Sequence, residues 1–309
     1  MKRYITVDSG TTNTRMCLVE NNEIIQTLAY KVGATKSIAN KTALAETLKN
    51  GISELLSSNN LSEEDITCVI CSGMISCEFG LVNLEHICTP ADISKMRESV
   101  YRCTFENISS IPFAFIRGVK TDFTTLEEAD VMRGEETEVV GIFNGEGIYV
   151  LPGSHSKIIT VDNNCTIRDF KTMMTGEMIS AIAQGTILKD AVSLKGYEID
   201  KDSLINGYVY TRDHGINEAL FKIRLLKNFY WYGEEALYSF YLGTILQSEI
   251  NYILSRKEEQ IYIGGQRAIK NALAVLLNEF SNKNVVVLSD SCVKKSMVCG
   301  MLKIYEGVK

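Results

Sequence analysis

One pattern in this chain recurs, and it constrains the fold more than any composition value. The apolar run Tyr4–Val7 ends in a polar glycine turn, Asp8-Ser9-Gly10-Thr11-Thr12-Asn13. Strand-like Arg15–Glu20 follows, then the turn Asn21-Asn22, then a third strand-like run, Glu23–Tyr30. The second half repeats the layout. Ile148–Leu151 leads into Pro152-Gly153-Ser154-His155-Ser156, then Lys157–Val161, the turn Asp162-Asn163-Asn164, and Cys165–Phe170. The residue identities are few; the shared order of strand, glycine turn, strand, Asn turn, strand is the signal. A chain of 309 residues exceeds what one core usually serves, since single cores stop growing near ~250–300 residues. Two α/β domains of one topology are therefore expected.

Helices and strands alternate between and after the two meanders. Thr42–Leu56 places Leu44, Leu48, Ile52, Leu55 and Leu56 at helical spacing, and Ile66–Cys71 and Ile111–Ile116 read as buried strands. Ala129–Ile142 reads as a helix with acidic residues in its first half. Helices are also expected over Met178–Ala191, Ile216–Tyr230, Glu234–Ser255, Ala268–Phe280 and Val293–Tyr305, with strands at Gln260–Ile263 and Val285–Leu288.

Charge and cysteine usage exclude several classes. The net charge is −6 and no basic stripe is present, against a nucleic-acid partner. No apolar run reaches the ~18–20 residues of a membrane span. The chain enters its first strand directly, so neither a secretory leader nor an added helix-turn-helix is expected. The nine cysteines are scattered, and Cys68-x-x-Cys71 falls inside an apolar strand without a second ligand pair. They read as small core residues of a cytoplasmic protein rather than as zinc ligands.

Five motifs carry chemistry. Asp8–Arg15 offers hydroxyls and backbone N–H groups to phosphate oxygens, with Asp8 placed to hold Mg²⁺ directly or through water. Pro152–Lys157 offers a second such loop, with His155 and Lys157 as local cations. Met132-Arg133-Gly134-Glu135-Glu136-Thr137-Glu138 opens a helix with carboxylates and an unexpected glycine. Ile261–Arg267 ends a strand in Gly264-Gly265, a flat surface on which an adenine can lie. Phe170–Glu177 resembles a helix cap at Thr175.

Together these stretches resemble the 2-dehydro-3-deoxygalactonokinase family of the actin/hexokinase-like superfamily. The resemblance rests on D-S-G-T-T-N-T-R, V-M-R-G-E-E-T-E, L-P-G-S-H-S-K and F-K-T-M-M-T-G-E, in order, and covers about residues 4–305. It implies two similar actin-like, ribonuclease H-like domains around an ATP cleft: an N-terminal domain 1–143, a C-terminal domain 144–290, and a C-terminal helix 291–309 packing back on the first. It implies phosphorylation of the 6-hydroxyl of 2-dehydro-3-deoxy-D-galactonate by ATP with Mg²⁺, in galactonate breakdown, by a monomer or homodimer. Ser9, Gly10, Thr11, Thr12, Asn13, Gly153, Ser154 and His155 then hold phosphates, and Gly264 and Gly265 hold adenosine. Arg133, Lys157, Gly73, Met74 and Ser76 face the sugar acid. Related sugar kinases carry a Gly-Asp pair whose Asp is the base; here Gly134-Glu135 stands in that place, with Glu136 and Asp8 as the other candidates. A kinase for the gluconate-derived isomer and a non-enzymatic ATP-binding regulator are the competing readings.

Overall fold

In the computed structural model, residues 2–34, 36, 42–265 and 267–307 are described, without the side chains of Arg267 and Ala268. Gln266, part of the fourth motif, lies outside them. The chain divides into two units: Met1–Gly145 with Asp162–Asp169 and Ser291–Lys309, and Glu146–Val161 with Phe170–Asp290.

The first unit is built on a sheet of β1 (Arg3–Ser9), β2 (Thr14–Glu20), β3 (Glu23–Tyr30), β4 (Cys68–Gly73), β6 (Tyr101–Phe105) and β7 (Ser109–Phe115). Their order is β3-β2-β1-β4-β7-β6, with β1–β3 an antiparallel meander and β4 parallel to β1. The Asn21-Asn22 turn has both residues at positive φ (50° and 68°), the backbone that tight hairpins favour. Helix α1 (Ala43–Ser58) buries Leu44, Leu48, Ile52, Leu55 and Leu56, the stripe its spacing predicts, in one cluster with Ile5, Val7, Met16 and Leu18. Each such side chain contributes about 1.5–3 kcal/mol when fully buried. Cys68 and Cys71 are buried in β4, and burial pushes both thiols up, as suits inert core residues.

Some elements of this unit were not expected. A short helix α2 (Ile93–Glu98), strand β6, and a small sheet of β5 (Ile87–Cys88), β8 (Val119–Lys120) and β9 (Val131–Met132) are present. The expected helix 129–142 is corrected. Val131–Met132 is a strand, Gly134 adopts φ +118°, and helix α3 is only Glu135–Ile142. The last helix, α9 (Asp290–Glu306), starts three residues earlier than read and packs closely on α3. A Cβ on Gly141 would lie 1.9 Å from Ser296 O, and one on Gly300 would lie 1.9 Å from Thr137 O, so only glycine permits this crossing.

The second unit carries β10 (Gly147–Leu151), β11 (Ser156–Val161), β12 (Ile167–Met173), β13 (Gln260–Ile263) and β14 (Asn284–Val287), ordered β12-β11-β10-β13-β14. Antiparallel β10–β11 and parallel β10–β13 reproduce the topology around β1 in the first unit. Its helices are α4 (Thr175–Gly185), α5 (Lys201–His214), α6 (Ile216–Phe229), α7 (Glu234–Ser255) and α8 (Arg267–Phe280). Helix α7 is buried over most of its length, from Leu237 to Ile253, and centres the core. The expected helix 178–191 is α4 followed by a separate turn at Ile187–Asp190, and α5 was not expected. Among the described residues no helix is long and apolar enough to cross a membrane.

Candidate active site

In the first unit the site grows from two adjacent parallel strand ends. Asp8 stands opposite Ser72 and Ser9 opposite Gly73 across β1 and β4. Gly73 has φ +89°, and a Cβ there would sit 2.5 Å from Ser9 O. Gly134, also left-handed, approaches to within 3.4 Å of Gly73 Cα by the same measure. The two glycines thus bring the turn after β1, the end of β4 and the start of α3 into backbone contact.

Thr11, Thr12 and Asn13 are exposed at the turn, which is closed by Gly10 N–H donating to Asn13 O at 2.9 Å. Ser9 is placed differently from its neighbours. Its side chain is buried, its hydroxyl bonded to that of Thr14 at 3.0 Å, and Thr14 in turn donates to Val32 O at 2.6 Å. Ser9 therefore braces the turn from beneath.

Asp8 is partly exposed and ion-paired with Arg15 at 3.1 Å. Burial raises its carboxyl, Arg15 pulls it down, and Glu135 pushes it up again. Glu138, one turn along α3 from Glu135, is driven up to about 7 by burial, then by Asp8 and Glu135. Asp8, Glu135 and Glu138 thus crowd negative charge around Arg15. Glu135 is partly exposed and its Oε2 accepts from Arg133 N at 3.1 Å.

Glu136 has the opposite fate. It is fully buried, accepts from Gly134 N at 2.9 and 2.8 Å through its two oxygens, and accepts from Thr137 Oγ1 at 3.1 Å. Burial, with Glu135's charge behind it, raises it to about 8. Thr137 also bonds Ser72 Oγ at 2.7 Å, so Glu136 locks the helix start to β4. Of the paired acids, Glu135 is the one at the surface.

Arg133 joins the turn Met74–Ser76 to the same place. Its Nη1 donates to Ser76 O and Oγ at 2.8 Å each, and its Nη2 to Leu84 O at 3.0 Å. Gly73, Met74 and Ser76, expected near the substrate, are therefore brought together with Arg133 and Glu135. Among the described residues no carboxylate forms an ion pair with Arg133.

In the second unit the corresponding turn runs Pro152–His155 between β10 and β11. Ser154 and His155 are exposed, and His155 Nε2 lies 3.3 Å from Glu177 Oε1. Gly176 packs so tightly that a Cβ would fall 2.2 Å from Gly153 O, and Glu177 N donates to Ser154 O at 3.1 Å. An open pocket of ≈ 580 Å³ adjoins, lined by Ser154, Gly176, Glu177, Ser180 and Gln184 among others. That volume lies in the range of small-molecule sites. Gly264 follows β13, and Gly265 abuts Pro152 O. Lys157, expected to face the sugar acid, turns inward: it is 5% exposed and donates to Thr172 Oγ1 at 2.6 Å. Both faces of β11 are buried here, so its ammonium braces the sheet.

One residue of this region escaped the sequence reading. Glu249 of α7, 1% exposed, accepts from Ser156 Oγ and from Thr175 Oγ1, each at 2.6 Å. The available signal was that Glu249 is the only charged residue between Glu235 and Arg256.

Against a 2-dehydro-3-deoxygalactonokinase of Escherichia coli K12 the chain is 26% identical over 257 residues, 82% of this chain and 76% of that protein. A Rhizobium meliloti relative assigned the same activity is 27% identical over 197 residues, 62% of this chain and 59% of its own length. A solved structure from Sinorhizobium meliloti, assigned as a 2-dehydro-3-deoxygalactonokinase, superposes with TM-score 0.78 at 20% identity, over 99% of this chain and 96% of that one. The Clostridium difficile activator of 2-hydroxyisocaproyl-CoA dehydratase, solved with bound ADPNP, shares the fold at TM-score 0.53 and 12% identity, over 99% and 95%. The fold is the actin-like α/β fold of these proteins. Residues 8–299 match the family model of 2-keto-3-deoxy-galactonokinase, and the chain belongs to that kinase family.

Proposed function

We propose that this kinase transfers the γ-phosphoryl of ATP to the 6-hydroxyl of 2-dehydro-3-deoxy-D-galactonate. The observation that carries the reading is the arrangement at the start of α3. A surface carboxylate, Glu135, sits beside an arginine, Arg133, that no carboxylate pairs with among the described residues, and both adjoin the glycine turn after β1. Phosphoryl transfer asks a protein mainly for positioning and charge stabilisation.

Glu135 is the general base, taking the proton of the acceptor hydroxyl as its oxygen attacks phosphorus. Arg133, braced by the carbonyls of Ser76 and Leu84, keeps its positive charge for the carboxylate of the sugar acid. The turns 10–13 and 153–155 supply phosphate contacts, chiefly through backbone N–H groups, and Gly264-Gly265 faces adenosine. The residues present fit Mg²⁺. Among the described residues no three His, Cys, Asp or Glu side chains form a cage on their own, but Mg²⁺ keeps several waters and takes one or two carboxylates with substrate phosphates. Asp8, raised chiefly by burial and further by its acidic neighbour Glu135, is the carboxylate to hold it, and the crowded charge around it is what a divalent cation relieves. When bound, the ion neutralises charge developing on the phosphates.

The test is coupled ADP release across a panel of 2-keto-3-deoxy sugar acids. ADP should appear only with a sugar acid, fastest with the galactonate-derived one. Faster turnover of the gluconate-derived isomer would reassign the substrate. ADP release that no sugar acid stimulates would overturn the reading.

A further inference from the structure

We propose that Glu249 is a positioning residue for nucleotide binding, a clamp that sets the second glycine turn. This rests on reading residues 153–155 as a phosphate-binding element.

The first unit shows how such a turn is pinned. Ser9 and Thr14, at the two ends of the turn, bond each other, and Thr14 reaches on to Val32 O, just before Gly33. Gly33 abuts the turn itself: a Cβ there would lie 2.6 Å from Gly10 O. The second unit has the same topology, with Ser156 placed as Thr14 is and Thr175-Gly176 placed as Val32-Gly33 are. Ser156 ends the turn at the start of β11, Thr175 starts α4, and Gly176 abuts Gly153. Here the two hydroxyls do not meet each other. A single carboxylate joins them, Oε1 taking Ser156 and Oε2 taking Thr175.

Nothing else in its surroundings accounts for an acid at 249. Among the described residues no cation forms an ion pair with Glu249, and burial pushes its carboxyl up while the two hydroxyls pull it down. A buried acid held only by two neutral donors is an expensive way to fill space. What it accomplishes is to tie the start of β11, into which the turn runs, to the start of α4, whose first residues touch Gly153 and Ser154. Glu177 N–H, donating to Ser154 O at 3.1 Å, carries that tie to the exposed part of the turn.

The experiment measures KM for ATP and for the sugar acid in Glu249→Ala, Glu249→Gln and the pair Ser156→Ala/Thr175→Ala. Glu249→Ala should raise the ATP KM about tenfold or more, leaving the sugar-acid KM within about twofold. Glu249→Gln, which keeps one acceptor, should restore part of the loss. The Ser156→Ala/Thr175→Ala pair should mimic Glu249→Ala, and adding Glu249→Ala to it should change little, since the three groups act as one unit. The hydroxyl variants keep the test open should Glu249→Ala not fold. If ATP and sugar-acid KM move together, or only thermal stability falls, Glu249 is a packing residue and the clamp is refuted. A wild-type protein that neither binds nor consumes ATP would refute the kinase reading itself, and the clamp with it.

Discussion

Helix α4 contains a matched pair of glycines that puts the second turn to a sharp test. Gly176 lies against backbone: an alanine Cβ would fall 2.2 Å from Gly153 O, 2.9 Å from Gly153 C and 2.9 Å from Ser154 Cα. Gly185, the last residue of the helix, has nothing within 4 Å of its Cβ position. Carbon atoms rest at about 3.5–4.0 Å, so Gly176→Ala must open the gap to the turn by about 1 Å. Backbone on the other side cannot fold away as a side chain does. Overpacking of this kind costs about 1–3 kcal/mol, of which better helix propensity returns up to ~1 kcal/mol. A displacement of about 1 Å in a positioning element is enough to cost about 10²-fold in rate. Gly176→Ala should therefore lose about 1–2 kcal/mol in urea unfolding and raise the ATP KM about tenfold or more. Gly185→Ala should match or exceed wild-type stability with unchanged kinetics. Equal ATP KM values for the two variants would show that the turn 153–155 does not contact the nucleotide.

The acids at the start of α3 make further predictions. Glu135→Gln should lower kcat by about 10²–10⁴ with little change in ATP KM, and Glu136→Gln should do much less; the reverse ranking would exchange their roles. Asp8→Asn should leave a folded protein with most activity gone, and near-wild-type turnover at ordinary Mg²⁺ would make Asp8 a turn residue only. Glu136, with a usual carboxyl value of 4.5 and a folded value of about 8, binds more proton folded than unfolded across that window. Stability should therefore fall as pH rises from about 5 to 8, and Glu136→Gln should flatten that fall in urea titrations at the two ends.

What the sequence made legible were features with a local cause. The two meanders announced themselves because a glycine turn between apolar runs has few other uses, and α1 because five leucines and isoleucines share one stripe. Features caused by distant neighbours were hidden. The break at Gly134 comes with its approach to Gly73, sixty-one residues upstream in the chain, so 129–142 read as one helix. Helix α5 buries Ser203, Leu204, Gly207, Tyr208 and Thr211, a narrow stripe with few large apolar members, because Gly207 lies against Phe240 O of α7. The motifs mark where the candidate site residues lie in the chain, but not which way they point. Ser9 and Lys157 face inward because β1 and β11 are buried on both faces, where alternation carries no inside-or-outside information.

Helix geometry explains how two adjacent glutamates acquire different surroundings. Successive residues of a helix point about 100° apart, while residues three apart share a face. Glu135 and Glu138 therefore face Asp8 and Arg15 together, and each acid in that group feels the others. Glu136 is turned away from them into the protein, where Gly134 N–H and the Thr137 hydroxyl receive it. Its bonds from Gly134 N–H add to the Gly73 contact in holding that left-handed residue. A Gly-Glu-Glu sequence at a helix start thus separates a buried acid from a partly exposed one. Glu138, pushed to about 7 by burial and then by two acidic neighbours, has a value suited to a general base, so Glu138→Gln is the control to measure beside Glu135→Gln. Glu135, one turn nearer Gly134, remains the acid this reading assigns as base.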